Sequence, residues 1–147
     1  MRSMALLFFV LLASCGPKPT SQDDFNTTDI TLPGGQIIKT EFVYDTVGAL
    51  RGMQFRSSIA PDHGMLYGHR TPGKYSYWMY QTLIPLDMIW MDPDHKVVEI
   101  VENAPPCKTP ASQCPHYGGN KVAQYVLQLG SGMVKKYGVK VGDGISW

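Results

Sequence analysis

Between residues 77 and 90 the chain reads Y-W-M-Y-Q-T-L-I-P-L-D-M-I-W, an aromatic and aliphatic run interrupted by Thr82 and Asp87. An ionised carboxylate in such surroundings costs several kcal/mol unless it is paired or hydrogen-bonded. Asp87 is therefore either a satisfied structural acid or the centre of a site. As a structural acid it would take Arg51 as partner, because a bidentate guanidinium keeps a covered carboxylate ionised. As a ligand-binding acid it would gather Arg51, Trp78, Gln81 and Thr82 around a pocket. As a catalytic acid it needs a second carboxylate across a cleft, and Asp143 in Val141-Gly142-Asp143-Gly144 is the candidate for glycoside hydrolysis. The alternative for Asp143 is an Asp in a tight turn.

Other chemistries have less to stand on. There is no G-x-S-x-G nucleophile elbow and no phosphate-cradling glycine loop. His63, His69, His95 and His116 are scattered, with no pair at helical ligand spacing. Met53, Met65, Met79, Met88 and Met91 offer thioethers to copper(I), but methionine is also an ordinary core filler, and neither a metal nor another cofactor is assigned. Tyr75, Tyr77, Trp78, Tyr80 and Trp90 either form a stacking platform for sugars or aromatic ligands, or divide between core and surface.

The elements that must position these residues are short and alternating. Residues 37–44 place Ile38, Thr40, Phe42 and Tyr44 on one face of a strand, and Asp45-Thr46 caps a short helix carrying Val47 and Leu50. Strands are expected at 64–67 and 75–79, separated by a turn-rich H-R-T-P-G-K. A hairpin follows: 84–91 sets Leu86, Met88 and Trp90 against Asp87, Ile89 and Met91, and Asp92-Pro93-Asp94-His95 turns the chain into 96–101. Both faces of its first strand are apolar, so Asp87 should be covered. Residues 122–129 alternate again, placing Ala123, Tyr125, Leu127 and Leu129 together. Ser131 caps a turn or two of helix ended by Gly138, and 139–147 closes with a G-D-G turn and a last short strand. The pattern predicts a mainly β fold, a single antiparallel sandwich or barrel-like domain with one or two short helices.

The N-terminus has one positive charge, Arg2, an apolar stretch from Ala5 to Leu12, and then Leu12-Ala13-Ser14-Cys15. This is the layout of a secretory signal, too short for a permanent membrane span. The small residues before the cysteine resemble a bacterial lipobox, which implies cleavage before Cys15 and lipid attachment to its sulfur. In a host with two membranes, Gly16 lacks the Asp that signals inner-membrane retention, and the anchored chain would face the periplasm from the outer membrane. The domain plan is then a signal at 1–14, a lipid-anchored tether at 15–36 and one β-rich domain at 37–147. Loss of Arg2 leaves 12 basic side chains against 12 acidic ones, and no field to steer nucleic acid. Cys107 and Cys114, in a proline-rich loop of an exported chain, are expected to pair as a disulfide.

R-G-M-Q-F-R at 51–56, G-M-L-Y at 64–67 and W-M-Y-Q-T-L-I-P-L-D-M-I-W-M-D at 78–92 occur in order. A-P-P-C with C-P-H-Y at 104–117, Y-V-L-Q-L at 125–129 and Y-G-V-K-V-G-D at 137–143 follow. In these blocks the chain resembles the bacterial and archaeal domain of unknown function family 192, also called uncharacterised protein family 0127. The resemblance covers nearly the whole domain. It implies a compact β-rich fold, common export with lipid anchoring, and no agreed activity, substrate or cofactor. Two departures stand out: the family pattern has Leu-Met where Met53-Gln54 stands, and Lys-Asn where Tyr80-Gln81 stands.

The resulting expectation is a lipid-anchored cell-envelope binding or interaction module. Its ligand is a small molecule, a glycan or an envelope protein, held by residues drawn from Arg51, Trp78, Gln81, Thr82, Asp87 and Asp143. The rivals are an envelope glycan hydrolase using Asp87 and Asp143, and a structural factor for envelope proteins.

Overall fold

The computed structural model of the protein describes residues 27–44 and 52–147. Arg51, the helix expected after Asp45, and the signal and attachment segment with Cys15 lie outside the described residues. The main body is a six-stranded sheet ordered β1-β2-β3-β8-β5-β6. These strands are β1 (Thr27–Thr31), β2 (Ile37–Val43), β3 (His63–Gly73), β5 (Leu86–Met91), β6 (Val97–Ala104) and β8 (Ala123–Gly130). A second, two-stranded sheet pairs β4 (Tyr77–Trp78) with β7 (His116–Tyr117), and among the described residues one short α-helix, α1, spans Met133–Tyr137. The fold is mainly β, as the alternating pattern predicts.

Strand β5 shows how the pattern becomes a core. It runs between β8 and β6, and all six of its residues are buried. Leu86, Met88 and Trp90 pack with Met65, Tyr67 and Met79 on one face. Ile89 and Met91 pack with Ile38, Leu66 and Leu127 on the other, where Val134 of α1 and Ile145 near the C-terminus cover them. Period-two alternation thus feeds two apolar layers rather than one layer and a wet face.

Several boundaries differ from the sequence reading. The stretch assigned to the tether already contributes to the sheet: β1 pairs antiparallel with β2, and Ile30 and Leu32 are buried in an otherwise polar segment. The turn-rich H-R-T-P-G lies inside β3, whose pairing with β8 shifts register between Gly68 and Gly73. A bulge absorbs the irregular residues without ending the strand. The β2–β3 pair is parallel, a pairing that a tight hairpin cannot make. The closing segment forms only isolated bridges, Lys96 with Gly144 and Thr31 with Ser146, instead of a strand.

Helix α1 ends at Gly138, whose φ of 68° puts it in the left-handed region, as a terminal glycine should. Its start is not the expected one. Gly132 occupies the N-cap and has no side chain to offer, while the Ser131 hydroxyl donates to Asn103 Oδ1 at 2.8 Å.

Candidate functional site

A cavity of about 210 Å³ opens on the Met65–Tyr67 face of the large sheet, under the small β4–β7 sheet. Its floor is apolar, made by Met53, Met79 and Leu86. Tyr67 reaches it from β3, Gln128 from β8, and Gln54 from the segment that precedes β3. Tyr77, Trp78, Tyr80 and Thr82 form the remaining wall. An antiparallel bridge between Gln54 and Thr82 closes one side, and the Gln81 carbonyl accepts the Phe55 N–H at 2.9 Å beside it.

The disulfide secures the opposite lip. Cys107 and Cys114 are bonded, as the sequence predicts. The Cys107 N–H donates to the Met79 carbonyl at 3.1 Å, and Cys107 bridges Tyr80 in parallel. Two residues beyond Cys114, His116 pairs with Trp78. Cys107 and the strand that leaves the closed loop therefore hold three consecutive residues, Trp78 to Tyr80. Trp78 remains 41% exposed and tilts against Tyr80 and His116, with ring centroids 5.3 and 5.9 Å away.

The polar groups inside are neutral. Burial pushes the phenols of Tyr67 and Tyr77 well above their ordinary range, so both keep their protons at any physiological pH. The Tyr67 hydroxyl donates to Gln128 Oε1 across 3.4 Å, much longer than the ~2.7–2.8 Å of a well-made O–H···O bond. Tyr77 is hydrogen-bonded to His69 Nε2 at 3.0 Å, and burial lowers the His69 pKa, favouring the uncharged ring. Among the described residues lining the cavity none carries a formal charge. The nearby cation and anion are engaged with one another: Arg56 and Glu41 form a bidentate pair at 2.5 and 2.6 Å. No group of three His, Cys, Asp or Glu side chains suited to a metal occurs among the described residues.

Of the sequence-derived candidates, the cavity brings together Trp78 and Thr82. Gln81 stands beside it with φ of 58° and contributes its backbone carbonyl. Asp87 follows the lining residue Leu86 along β5, and alternation turns it to the other face. There it is 0% exposed. Its Oδ1 accepts the Asn103 N–H at 2.8 Å, and its Oδ2 accepts the Val134 N–H at 2.9 Å. A register shift opposite Asp87 makes Asn103 available: Leu86 faces Ala104 but Met88 faces Val101, leaving a bulge. Val134 is in the first turn of α1, so Asp87 supplies the cap that Gly132 lacks.

Asp143 is in a turn, where its Oδ2 accepts the Lys140 N–H at 2.7 Å and its carbonyl accepts the Val97 N–H at 2.8 Å. Val97 pairs with Met91, about 13 Å along β5 from Asp87. The two carboxylates therefore do not share a cleft. Of the possible stacking platform, Tyr77 and Tyr80 line the cavity with Trp78, whereas Trp90 is buried in the core. Gln54, Tyr67 and Gln128 also belong to the cavity, and the sequence reading does not name them as ligand candidates. Gln128 had a readable signal, a lone amide inside the apolar Y-V-L-Q-L strand, of the same kind that drew attention to Asp87. Gln54 and Tyr80 coincide with the two departures from the family pattern.

A crystal structure of a protein of unknown function from Novosphingobium aromaticivorans is similar to the chain, with a TM-score of 0.74 and 25% identity over 82% of this chain and 85% of that one. A second crystal structure, of a Sinorhizobium meliloti protein described as "a putative transcription regulator", has a TM-score of 0.70 and 30% identity over 80% and 89% of the respective chains. No curated protein matches. The family model of DUF192, described as an uncharacterized ACR, matches residues 29–147, from β1 to the last residue, and the chain belongs to that family.

Proposed function

We propose that the chain is a lipid-anchored cell-envelope module that binds a small ligand in the cavity behind Trp78 and Thr82. The observation that carries this reading is convergence. Four separate blocks of the sequence supply Gln54, Tyr67, the wall residues Trp78, Tyr80 and Thr82, and Gln128 to one concave, aromatic and amide-bearing space. A concave space with an apolar floor and a few convergent polar groups is the usual form of a ligand site. At about 210 Å³ it is smaller than the ~300–1,000 Å³ typical for drug-sized ligands, which favours a single ring over an extended chain. The signal-like N-terminus ending at Cys15 and the Cys107–Cys114 bond support an exported, oxidising setting. Asp87, sealed against backbone N–H groups, serves the fold in this reading and not the ligand.

Two measurements test it. Palmitate labelling of the chain expressed in a bacterium with two membranes should be lost in Cys15→Ser. A thermal-shift screen of small envelope metabolites against the full chain in detergent should find compounds that raise the melting temperature, and Trp78→Ala should abolish that rise. A screen in which nothing stabilises the protein removes the binding reading.

A further inference from the structure

Resting on that binding reading, we infer that the cavity takes an uncharged, polyhydroxylated ring of monosaccharide size, stacked on Trp78 and hydrogen-bonded by Gln54, Thr82, Tyr77 and Gln128. Charge is the first filter. No described lining residue is charged, and Arg56 and Glu41, close to Tyr67, are joined to each other through two short bonds. A ligand ion entering this space would lose hydration without gaining a counter-charge from the described lining residues. Polarity is the second filter. Two side-chain amides, a threonine hydroxyl and three phenols line one small volume, so a purely apolar guest would strip water from donors and acceptors without replacing it.

The hydrogen bonds already present leave capacity for a guest. At 3.4 Å, the contact from Tyr67 to Gln128 is stretched enough for a hydroxyl that both donates and accepts to take its place. The His69 contact holds the Tyr77 oxygen in position at the wall. Shape is the third filter. The half-exposed Trp78 ring stands at the mouth beside Tyr80, and its electron-rich face suits the weakly positive C–H groups on one side of a sugar ring. The Tyr80–Cys107 bridge holds that lip in place.

The test is a titration of the ¹⁵N-labelled full chain in detergent, followed by NMR at the Trp78 indole N–H and the side-chain amides of Gln54 and Gln128. The probes are glucose and N-acetylglucosamine, their charged relatives glucosamine and glucuronate, phenol as an aromatic ring, and a proline-rich peptide. The expected result is saturable movement of all three signals by at least one neutral sugar at roughly millimolar concentration. Glucosamine and glucuronate should bind about tenfold more weakly or not at all, because neither charge finds a partner. Trp78→Ala should weaken the sugar about tenfold. Gln54→Leu should weaken the sugar while leaving phenol binding unchanged or tighter. If phenol or the peptide moves these signals and no sugar does, the saccharide assignment is overturned and the binding reading stands. Equal binding of the charged and neutral sugars also overturns it. If no probe moves any of the three signals, the assignment fails, and the separate metabolite screen decides whether the binding reading fails with it.

Discussion

Replacing Asp87 by asparagine preserves the size of the side chain and removes one of its two acceptors. The new NH₂ group would then point at either the Asn103 N–H or the Val134 N–H, donor against donor in a fully buried position. We expect Asp87→Asn to cost about 3 kcal/mol in urea unfolding, since a buried backbone donor loses its partner and the start of α1 loses its cap. Ligand binding by the folded fraction should be unchanged, because Asp87 faces away from the cavity. A loss below about 0.5 kcal/mol would show that these two bonds do not hold the fold together. His69 acts on the opposite face. Burial lowers its pKa, so the unfolded chain binds the proton more readily than the folded one. Stability is then fully present above the ordinary histidine pKa of about 6.5 and declines as pH falls through the lower folded value. Melting temperature measured against pH should drop on the acid side, and His69→Gln should flatten that drop. The acid was legible in the sequence because it interrupts an apolar alternation. Which face it took followed from strand parity, but its partners did not, since they come from a bulge sixteen residues later and a helix forty-seven residues later.

At the scale of elements, the disulfide loop and the small sheet act together as the lip of the cavity. Cys107 is tied to Met79 and Tyr80, and the β4–β7 pairing ties His116 to Trp78, so the covalent loop orders one side of a wall whose other side is held by the Gln54–Thr82 bridge. Removing the bond in the Cys107→Ser/Cys114→Ser double variant should lower stability by about 2 kcal/mol, as expected for a short closed loop. It should weaken ligand binding more than that global loss accounts for, because the lip is loosened locally. Titrating a stabilising compound against the double variant at a temperature where it remains folded checks this; unchanged affinity would separate the disulfide from the site. Nearby, Gly118 has φ of 67°, and an added Cβ there would land inside the Trp90 ring, so the turn after β7 admits only glycine without a rearrangement. The hairpin turn at 92–95 and the glycine stop of α1 were readable because they rely on local chemistry: Asp92 Oδ1 accepts the Asp94 and Lys96 N–H groups, and Gly138 supplies a left-handed residue. The start of α1 was not readable, because a distant strand supplies its cap.

The whole molecule is closed by contacts between segments far apart in sequence. Thr31 and Ser146 exchange backbone hydrogen bonds of 2.7 and 3.1 Å, and Ile145 is buried beside Ile30 and Leu32. His95 and Trp147 stack with ring centroids 3.6 Å apart, with the Tyr125 ring edge-on to both. Ile145→Ala should cost about 3 kcal/mol and, more diagnostically, speed hydrogen exchange at Thr31 in β1. Exchange in β1 that does not respond would mean the strand is held by β2 alone. The sequence by itself determined what is local or periodic: the β class, the two-faced burial of residues 86–91, the pairing of two cysteines in a proline-rich loop, and the family blocks. These depend on spacing of two along a strand, on turn residues and on loop composition, all of which lie within a few residues of one another. Only the tertiary structure decided that β1 belongs to the sheet, that Asp87 and Asp143 stay apart, and that Gln54, Tyr67, Tyr77, Tyr80 and Gln128 share one cavity with Trp78 and Thr82. Such placements depend on strand order, bulges and crossovers, which bring distant residues together through packing, and no periodicity in the chain records which strand will lie beside which.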